Sequence, residues 1–398
     1  MPSRRGTDLF RVAAEIAQRA ESVTLNSTEL ARYSRHVLLP ELGLVGQSRL
    51  KASRILIVGV GGLGSPAAMY LAAAGIGTLG LCDGDHVDLS NLQRQLLYSS
   101  AEVGQKKVEV AARRLETINP DIQIETHPEM LTVENAVDLV RDYDLVIDGS
   151  DNFATRYLVT DACVLTARPY VYGSIMRFAG QASLFYPPYG PCYRCLFPRP
   201  PAAGVVPNCA EGGVLGVLPG VIGSVQATEA IKLVTGIGES LVGRILTYDA
   251  LSMRWSELSL ARDHGCPLCG DCPSIAAVNT CEVACAPSSG PGDQMEITVQ
   301  DLHAMKLAAV PFELIDVRTE AEVAICKLEG SKHIPLGELA RRLEYLAVDR
   351  PLVVHCKGGA RSAQAVAQLR DHGYDQAVSL RGGILAWIDT FDPSMARY

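Results

Sequence analysis

Short apolar runs alternate with amphipathic stretches over the first part of the chain. Runs bounded by glycine or polar residues predict buried strands, whereas apolar residues at helical spacing predict helices that pack on a sheet. In chain order the pattern gives strand 55–58, helix 66–74, strand 79–82, helix 107–118 and strand 145–147. This alternation predicts a parallel, Rossmann-like α/β sheet, which binds ligands at the carboxyl ends of its strands.

A second, smaller α/β unit is predicted towards the end of the sequence. Residues 351–354 form an apolar run typical of a buried strand, and 362–373 place Ala, Val and Leu on one face of a helix. Residues 271–294 are rich in Ser, Pro, Gly and Cys without apolar periodicity, which predicts a linker. We therefore divide the chain into an N-terminal extension (1–24), a large domain (25–270), the linker (271–294) and a small domain (295–398).

Two patterns precede the first strand. Apolar residues at positions 9, 12, 13 and 16 predict an amphipathic segment within the extension. Asn26 followed three residues later by Glu29 predicts a capped helix start, and that helix would contain Tyr33 and Val37.

Composition and charge exclude several classes of partner. The 398 residues are 48% hydrophobic, ample for packed cores, and carry a net charge of −8. Without a dense Lys/Arg cluster, this charge argues against nucleic acid or an anionic membrane as the main partner. No apolar run reaches the roughly 18 residues of a membrane helix, and residues 1–21 lack the apolar core of a secretion signal. With four of the twelve cysteines in C-x-x-C pairs, a reducing cytoplasm is the expected location.

A glycine-rich segment after the first strand predicts a nucleotide site. Gly59, Gly61 and Gly64 form G-x-G-x-x-G, with Gly62 inside it, and Asp83 ends the next strand. Backbone amides there can approach phosphates, and Asp83 can accept hydrogen bonds from a ribose diol of ATP or NAD. The alternative is a tight packing turn with no ligand.

The residues that follow favour phosphate chemistry over hydride transfer. A polar run begins at Asp85 and contains Asn91, Arg94 and Gln95, and Lys107 adds positive charge before a helix. Attack at phosphorus requires such charge neutralisation, whereas a nicotinamide needs an apolar slot. After the strand at 145–147, Asp148 and Asp151 could hold Mg²⁺ through hard oxygens, or could instead cap the next helix.

From Leu30 to Gly270 the chain resembles the ubiquitin-activating-like adenylyltransferases, specifically the activators of molybdopterin-synthase and thiamine sulfur carriers. The resemblance implies nucleotide-loop roles for the glycines, a ribose contact for Asp83 and an essential role for Asp151. It implies phosphate contacts for four residues, namely Asn91, Arg94, Gln95 and Lys107. It also implies that Arg35 reaches into a partner subunit's ATP site, and hence a homodimer.

Two C-x-x-C pairs predict a metal centre. Cys192 with Cys195 and Cys266 with Cys269 offer four thiolates, a set that favours tetrahedral Zn²⁺. Because four thiolates leave no open position, this zinc would be structural. Cys272 is a competing ligand, and neither it nor Cys281 and Cys285 has another role that the sequence indicates.

In the small domain, Cys356 lies in a short loop between the apolar strand and the following helix. The Gly358-Gly359 amides, the helix N-terminus and the Arg361 guanidinium would favour a negative sulfur and lower its pKa. The alternative is a buried structural cysteine. Residues 295–398 resemble the rhodanese family through Asp316-Val317-Arg318, the Cys356–Arg361 loop and Leu380-Arg381-Gly382-Gly383, which implies a persulfide on Cys356. Residues 325–331 depart from the usual approach to His333, a departure expected to alter a surface.

Cys209 lies in a Pro/Gly-rich segment before the apolar stretch 221–234. It resembles the family's crossover-loop cysteine, which implies an adduct with the carrier or a disulfide with Cys356, while a packed apolar side chain is the alternative.

Together these features predict a two-step reaction. The first half would adenylate the C-terminal glycine of a small ubiquitin-like sulfur carrier ending in Gly-Gly, using ATP and Mg²⁺, and Cys356 would deliver sulfur to give a thiocarboxylate. Thiosulfate and a cysteine desulfurase are both compatible donors. Two alternatives stay open: an activating enzyme that conjugates its carrier through a Cys209 thioester, and an NAD-dependent oxidoreductase with a sulfur-sensing domain.

Overall fold

The computed structural model describes residues 10–187, 189–201, 212–278, 296–348 and 350–398. These residues form two compact units, the first made of the described residues up to 278 and the second of those from 296 onwards. None of the helices among them is both long and apolar enough to cross a membrane.

An eight-stranded sheet forms the centre of the first unit. Its strands are β1 (Arg54–Val58), β2 (Thr78–Cys82), β3 (Gln123–His127), β4 (Leu145–Asp148), β5 (Tyr170–Met176), β6 (Ala179–Phe185), β7 (Arg244–Asp249) and β8 (Arg254–Ser259). The order is β3-β2-β1-β4-β5-β6-β7-β8, with β3 to β5 parallel and β6 to β8 antiparallel. Because β2 and β4 lie on opposite sides of β1, the strand order reverses there and a crevice opens at the carboxyl ends.

Helices cover both faces of this sheet. They are α1 (Arg11–Ala20), α2 (Ser27–Arg32), α3 (Ser34–Val37), α4 (Gly43–Ala52), α5 (Gly64–Ala74), α6 (Lys107–Ile118), α7 (Ala136–Arg141), α8 (Phe153–Leu165), α9 (Tyr193–Leu196) and α10 (Leu218–Thr235). Ile55 and Ile57 of β1 join a core with α5 and α10, whereas Leu56 and Val58 join a second core with α7 and α8. Burial on both faces explains why β1 is a continuous apolar run rather than an alternating one.

The segments before β1 are integral to the first unit. Val12 and Ile16 of α1 are 1% exposed and belong to the main core, so the described part of the predicted extension packs as an amphipathic helix. The capping box is confirmed, since Asn26 and Glu29 each accept the other's backbone N–H at 2.9 Å. The predicted single helix is interrupted at Tyr33, where α2 ends and α3 begins.

The second unit contains a five-stranded parallel sheet in the order β11-β10-β12-β13-β9. The strands are β9 (Glu296–Ile297), β10 (Glu313–Asp316), β11 (Ser331–His333), β12 (Leu352–His355) and β13 (Ala377–Leu380). The helices are α11 (Val299–Leu307), α12 (Glu320–Ile325), α13 (Ala360–Asp371) and α14 (Gly383–Phe391). Short 3₁₀ turns lie at Leu89–Asn91 and Ser100–Glu102 in the first unit and at Leu336–Arg341 and Leu343–Tyr345 in the second. Because β12 is the middle strand, the residue after it, Cys356, lies at the centre of the sheet's carboxyl edge.

Candidate active sites

A cleft of about 340 Å³ opens where β1, β2 and β4 end. Apart from Gly64, the residues predicted to bind nucleotide all line it: Gly59, Gly61, Gly62, Asp83, Asp85, Asn91, Arg94, Gln95, Lys107 and Asp151. The parallel sheet produces this convergence, because its strands end at one edge. The size falls at the lower end of the range for small-molecule sites.

Close backbone packing accounts for the glycines at either end of the motif. Gly59 has φ +84°, and a Cβ there would lie 2.9 Å from the Gly149 carbonyl oxygen. A Cβ on Gly64 would lie 1.9 Å from the Gly59 carbonyl oxygen. Only glycine fits both positions. Gly64 therefore shapes the loop through packing.

Asp83 ties the glycine loop to the β2 end. One carboxylate oxygen accepts the Val60 N–H at 2.8 Å and the other accepts the Asp85 N–H at 2.9 Å. Burial raises the pKa of Asp83, with the nearby Lys107 charge opposing the rise. Each carboxylate oxygen has a further lone pair with which to accept a ribose hydroxyl.

Two cations line the cleft, and each contacts the side-chain oxygen of a nearby residue. Lys107 is 5% exposed and its Nζ lies 2.9 Å from Asp85 Oδ2. Arg94 Nη2 donates to Asn91 Oδ1 at 3.0 Å, and Gln95 Nε2 donates to the same oxygen at 3.2 Å. This fixed cluster of donors suits a polyphosphate.

The two aspartates after β4 differ in role. Asp151 is exposed and lines the cleft. Asn152 caps α8 instead, accepting the Thr155 N–H at 2.9 Å, so Asp151 is not the helix cap. Asp148 is fully buried, accepts hydrogen bonds from Ser150 and lies outside the cleft, so the expected metal or capping role does not apply to it.

Sequence reasoning missed a buried arginine beneath this loop. Arg156 is 7% exposed, donates to the Ser150 carbonyl at 3.3 Å and places Nε 3.7 Å from Asp148 Oδ2. Its guanidinium also lies 5.0 Å from the centre of the Tyr172 ring. Burial raises the pKa of Asp148, and the Arg156 charge opposes that rise. Through Ser150 and Asp148, Arg156 thus holds the loop that carries Asp151, a role that no local motif indicated.

The four predicted metal ligands come together. The sulfurs of Cys192, Cys195, Cys266 and Cys269 all lie within 4.8 Å of one another, with separations of 3.9 Å (Cys192 to Cys195), 3.6 Å (Cys192 to Cys266) and 3.4 Å (Cys195 to Cys269). Thiolates at about 2.3 Å from a tetrahedral Zn²⁺ would be about 3.8 Å apart. The donor set and its spacing therefore fit a zinc ion. Cys272 is exposed and is not part of the cluster.

In the second unit, a backbone amide and a hydroxyl lie next to the Cys356 sulfur. Cys356 is 1% exposed, the Gly359 N–H donates to its Sγ at 3.1 Å and the Ser362 hydroxyl lies 3.5 Å away. Ser379 donates to Ser362 Oγ at 2.9 Å, so a second hydroxyl stands behind the first. An amide donor at a helix start is the environment that stabilises a sulfur anion.

The start of α14 fixes the back of this loop. Ile384 N–H donates to the Cys356 carbonyl at 2.9 Å. A Cβ on Gly383 would lie 2.5 Å from that carbonyl oxygen, so the position requires glycine. The Leu380–Gly383 segment thus packs against the backbone of the Cys356 loop.

Arg361 forms a pairing that the sequence did not predict. Its guanidinium donates to both oxygens of Glu322, at 2.7 and 2.6 Å. Burial alone would raise the pKa of Glu322, but the hydrogen bonds and charge of Arg361, with hydrogen bonds from Thr319, bring it down to about 2. The loop cation and its counter-ion are therefore a fixed unit.

Two residues that were predicted to act in the reaction, Arg35 and Cys209, are not found at these sites in the described part of the chain. Arg35 is exposed on α3 and does not line the cleft of its own chain. Cys209 lies outside the described residues, as do Cys281 and Cys285.

Sequence comparison matches both units to known families. The profile of the ThiF family matches residues 33–268, and that of the rhodanese-like domain matches 298–390. The chain is 46% identical to a Mycobacterium tuberculosis protein named probable adenylyltransferase/sulfurtransferase MoeZ, over 94% of this chain and 96% of the relative. It is 41% identical to mouse adenylyltransferase and sulfurtransferase MOCS3, over 95% of this chain and 89% of the relative.

Solved structures share the fold of the first unit. Escherichia coli MccB with MccA-N7isoASN has a TM-score of 0.54 at 21% identity, covering 65% of this chain and 91% of that chain. A structure titled PaaA has a TM-score of 0.52 at 24% identity, covering 63% and 82%. At this identity the likeness concerns the fold alone.

Proposed function

The chain belongs to the ThiF family and carries a rhodanese-like domain, and from this premise we propose that it adenylates and then thiolates a sulfur-carrier protein. The carrier is a small ubiquitin-like protein that ends in Gly-Gly. The observation that carries the proposal is that one chain holds a cation-lined nucleotide cleft and a cysteine loop built to stabilise a sulfur anion. The names of the relatives, which pair adenylyltransferase with sulfurtransferase, favour it over conjugation through Cys209.

In the first step the terminal carboxylate of the carrier attacks the α-phosphorus of ATP and pyrophosphate leaves. Asp83 accepts the ribose hydroxyls, while Arg94 and Lys107 offset the charge that grows on the phosphate oxygens. Asp151 is the residue that would hold Mg²⁺, a hard cation that supplies further charge compensation. Arg35 acts in the cleft of a second subunit, consistent with its exposure and its absence from the cleft of its own chain.

In the second step a persulfide on Cys356 attacks the acyl-adenylate carbonyl and AMP leaves, giving an acyl disulfide. A second thiol then attacks the Cys356 sulfur, which breaks the acyl disulfide, releases the carrier thiocarboxylate and leaves a disulfide between that thiol and Cys356; a cellular dithiol reduces this disulfide before the next turnover. Cys209 is the candidate for that thiol. The sulfur on Cys356 would come from thiosulfate, which is an anion, or from a cysteine desulfurase.

Three further features complete the proposal. The Cys192–Cys269 cluster would hold a structural zinc, since four thiolates fill its coordination sphere. The protein acts as a homodimer, which the role of Arg35 requires. A cytoplasmic location is supported by the described cysteines, all nine of which are unpaired.

The adenylation half is tested by ATP–pyrophosphate exchange with a panel of Gly-Gly carriers. Asp151→Asn is expected to reduce exchange by at least about 100-fold, on the scale of losing a group that stabilises transition-state charge. Asp138→Asn is the matched control, because Asp138 is exposed and pairs only with Arg141 among described contacts. Equal rates of ATP–pyrophosphate exchange in the two variants would show that Asp151 has no role in adenylation.

A further inference from the structure

Tyr398 bridges charged groups around the Cys356 loop. Its hydroxyl accepts a hydrogen bond from Arg318 Nη1 at 2.7 Å and donates one to Glu322 Oε1 at 3.2 Å. Glu322 is the residue that holds Arg361 in the bidentate pair. The tyrosine hydroxyl is therefore linked through Glu322 to Arg361, which lies five positions after Cys356.

The ring of the same tyrosine contacts the other cation of the loop. Lys357 Nζ lies 4.6 Å from the centre of the Tyr398 ring, and Lys357 directly follows Cys356 in the chain. A cation over a tyrosine face is attracted by the ring electrons. One side chain thus contacts Lys357 directly and Arg361 through Glu322.

The group that donates to the Tyr398 hydroxyl is itself buried and paired. Arg318 is fully buried and forms a bidentate pair with Asp316, at the end of β10. Register places Asp316 beside His355, the residue before Cys356. After α14 the chain turns at Asp392, and Arg397 pairs with Asp389. Arg318 therefore anchors the hydroxyl end of Tyr398 from a buried position.

We infer that Tyr398 is a positioning residue that holds Lys357 and, through Glu322, Arg361 in place around Cys356, and thereby sets the preference of this loop for anionic sulfur donors. The inference deepens the proposed function and rests on Cys356 as its sulfur carrier. No contact of Tyr398 with the reacting sulfur is needed. The two cations attract the donor, and the tyrosine fixes where they stand.

The test compares two alkylating reagents of similar shape on Cys356, anionic iodoacetate and neutral iodoacetamide, read by peptide mass spectrometry of the full chain. Loosening of the loop would speed both reactions alike, whereas loss of positive potential would slow iodoacetate alone. In Tyr398→Leu the iodoacetate-to-iodoacetamide rate ratio is expected to fall by about 3- to 10-fold, on the scale of a lost cation–π contact. Tyr398→Phe retains the ring beside Lys357 but loses the hydroxyl that contacts Glu322, so its ratio is expected to lie between those of the wild type and Tyr398→Leu.

Sulfur transfer gives the second readout. With thiosulfate as the donor, Tyr398→Leu should raise KM by a similar factor, and ATP–pyrophosphate exchange should not change. Tyr345→Leu is the matched control, since Tyr345 is 64% exposed in the same unit and lies in the 3₁₀ turn Leu343–Tyr345. An unchanged ratio in Tyr398→Leu, or equal acceleration of both reagents, overturns the inference. Absence of persulfide on wild-type Cys356 would instead contradict the proposed function, and the alkylation ratio would still decide the role of Tyr398.

Discussion

The Glu322–Arg361 pair gives a quantitative prediction about the second unit. Glu322→Gln keeps the shape of the side chain and the hydrogen bond that caps α12, but removes the charge opposite Arg361. We expect the second unit of the variant to be less stable at pH 7 by about 2 kcal/mol. The reason is that Arg361, only 15% exposed, would lose its counter-ion.

The magnitude follows from the pKa. Arg361, together with hydrogen bonds from Thr319, brings the pKa of Glu322 to about 2, roughly two units below an unperturbed glutamate, which corresponds to about 3 kcal/mol for these contacts as a group. Partial access of solvent to Arg361 reduces this to about 2 kcal/mol. Because the pKa is lowered in the folded state, the contribution is complete above the unfolded pKa of about 4.3 and is lost as pH falls towards 2.

Urea unfolding followed by Trp387 fluorescence measures this difference. The chain has two tryptophans, so in a Trp255→Phe background the tryptophan fluorescence comes from Trp387 alone and reports the unfolding of the second unit. At pH 7 the midpoint should fall by about 2 M urea for a unit of this size, and the gap between parent and variant should narrow by about 1–2 kcal/mol between pH 4.5 and pH 3. Glu344→Gln, an exposed site in the same unit, should leave the midpoint unchanged. A gap that is absent at pH 7, or that does not narrow in acid, would refute the reasoning.

Two other predictions concern the first unit. Gly64→Ala places a Cβ 1.9 Å from the Gly59 carbonyl oxygen, so the loop must shift and the affinity for ATP measured by calorimetry should fall by at least about 10-fold. Gly220→Ala, whose added Cβ would have nothing within 4 Å, is the control and should bind ATP normally and gain up to about 1 kcal/mol of stability. Equal affinity for ATP in the two variants would count against the loop geometry. Cys266→Ser should abolish the stoichiometric zinc found by elemental analysis and lower the thermal midpoint of unfolding, while the control Cys272→Ser should alter neither. Full zinc content in Cys266→Ser would exclude the four-cysteine site.

The nucleotide cleft could be predicted from sequence because its parts are local consequences of strand ends. Gly59 follows β1, Asp83 follows β2 and Asp151 follows β4, and a parallel sheet brings all three to one edge. The cysteine cluster could be predicted for a different reason. Paired C-x-x-C knuckles specify a donor set whatever the fold between them, here across 74 residues.

The supporting residues could not be predicted, because packing rather than local pattern gives them their roles. Glu322 and Arg361 are 39 residues apart, and Tyr398 is 76 residues from Glu322. Nothing in the spacing of these residues indicates contact. Asp148 shows the same limit, since its role follows from Arg156 on the next helix, a contact that depends on how α8 packs on the sheet.

The most direct test of the central claim is the intact mass of a Gly-Gly carrier after incubation with this protein, ATP, Mg²⁺ and thiosulfate. The account predicts replacement of one carrier oxygen by sulfur with the wild-type protein. With Cys356→Ala it predicts that the carrier gains no sulfur while ATP–pyrophosphate exchange continues. Thiocarboxylate formed at the wild-type rate by Cys356→Ala would contradict it.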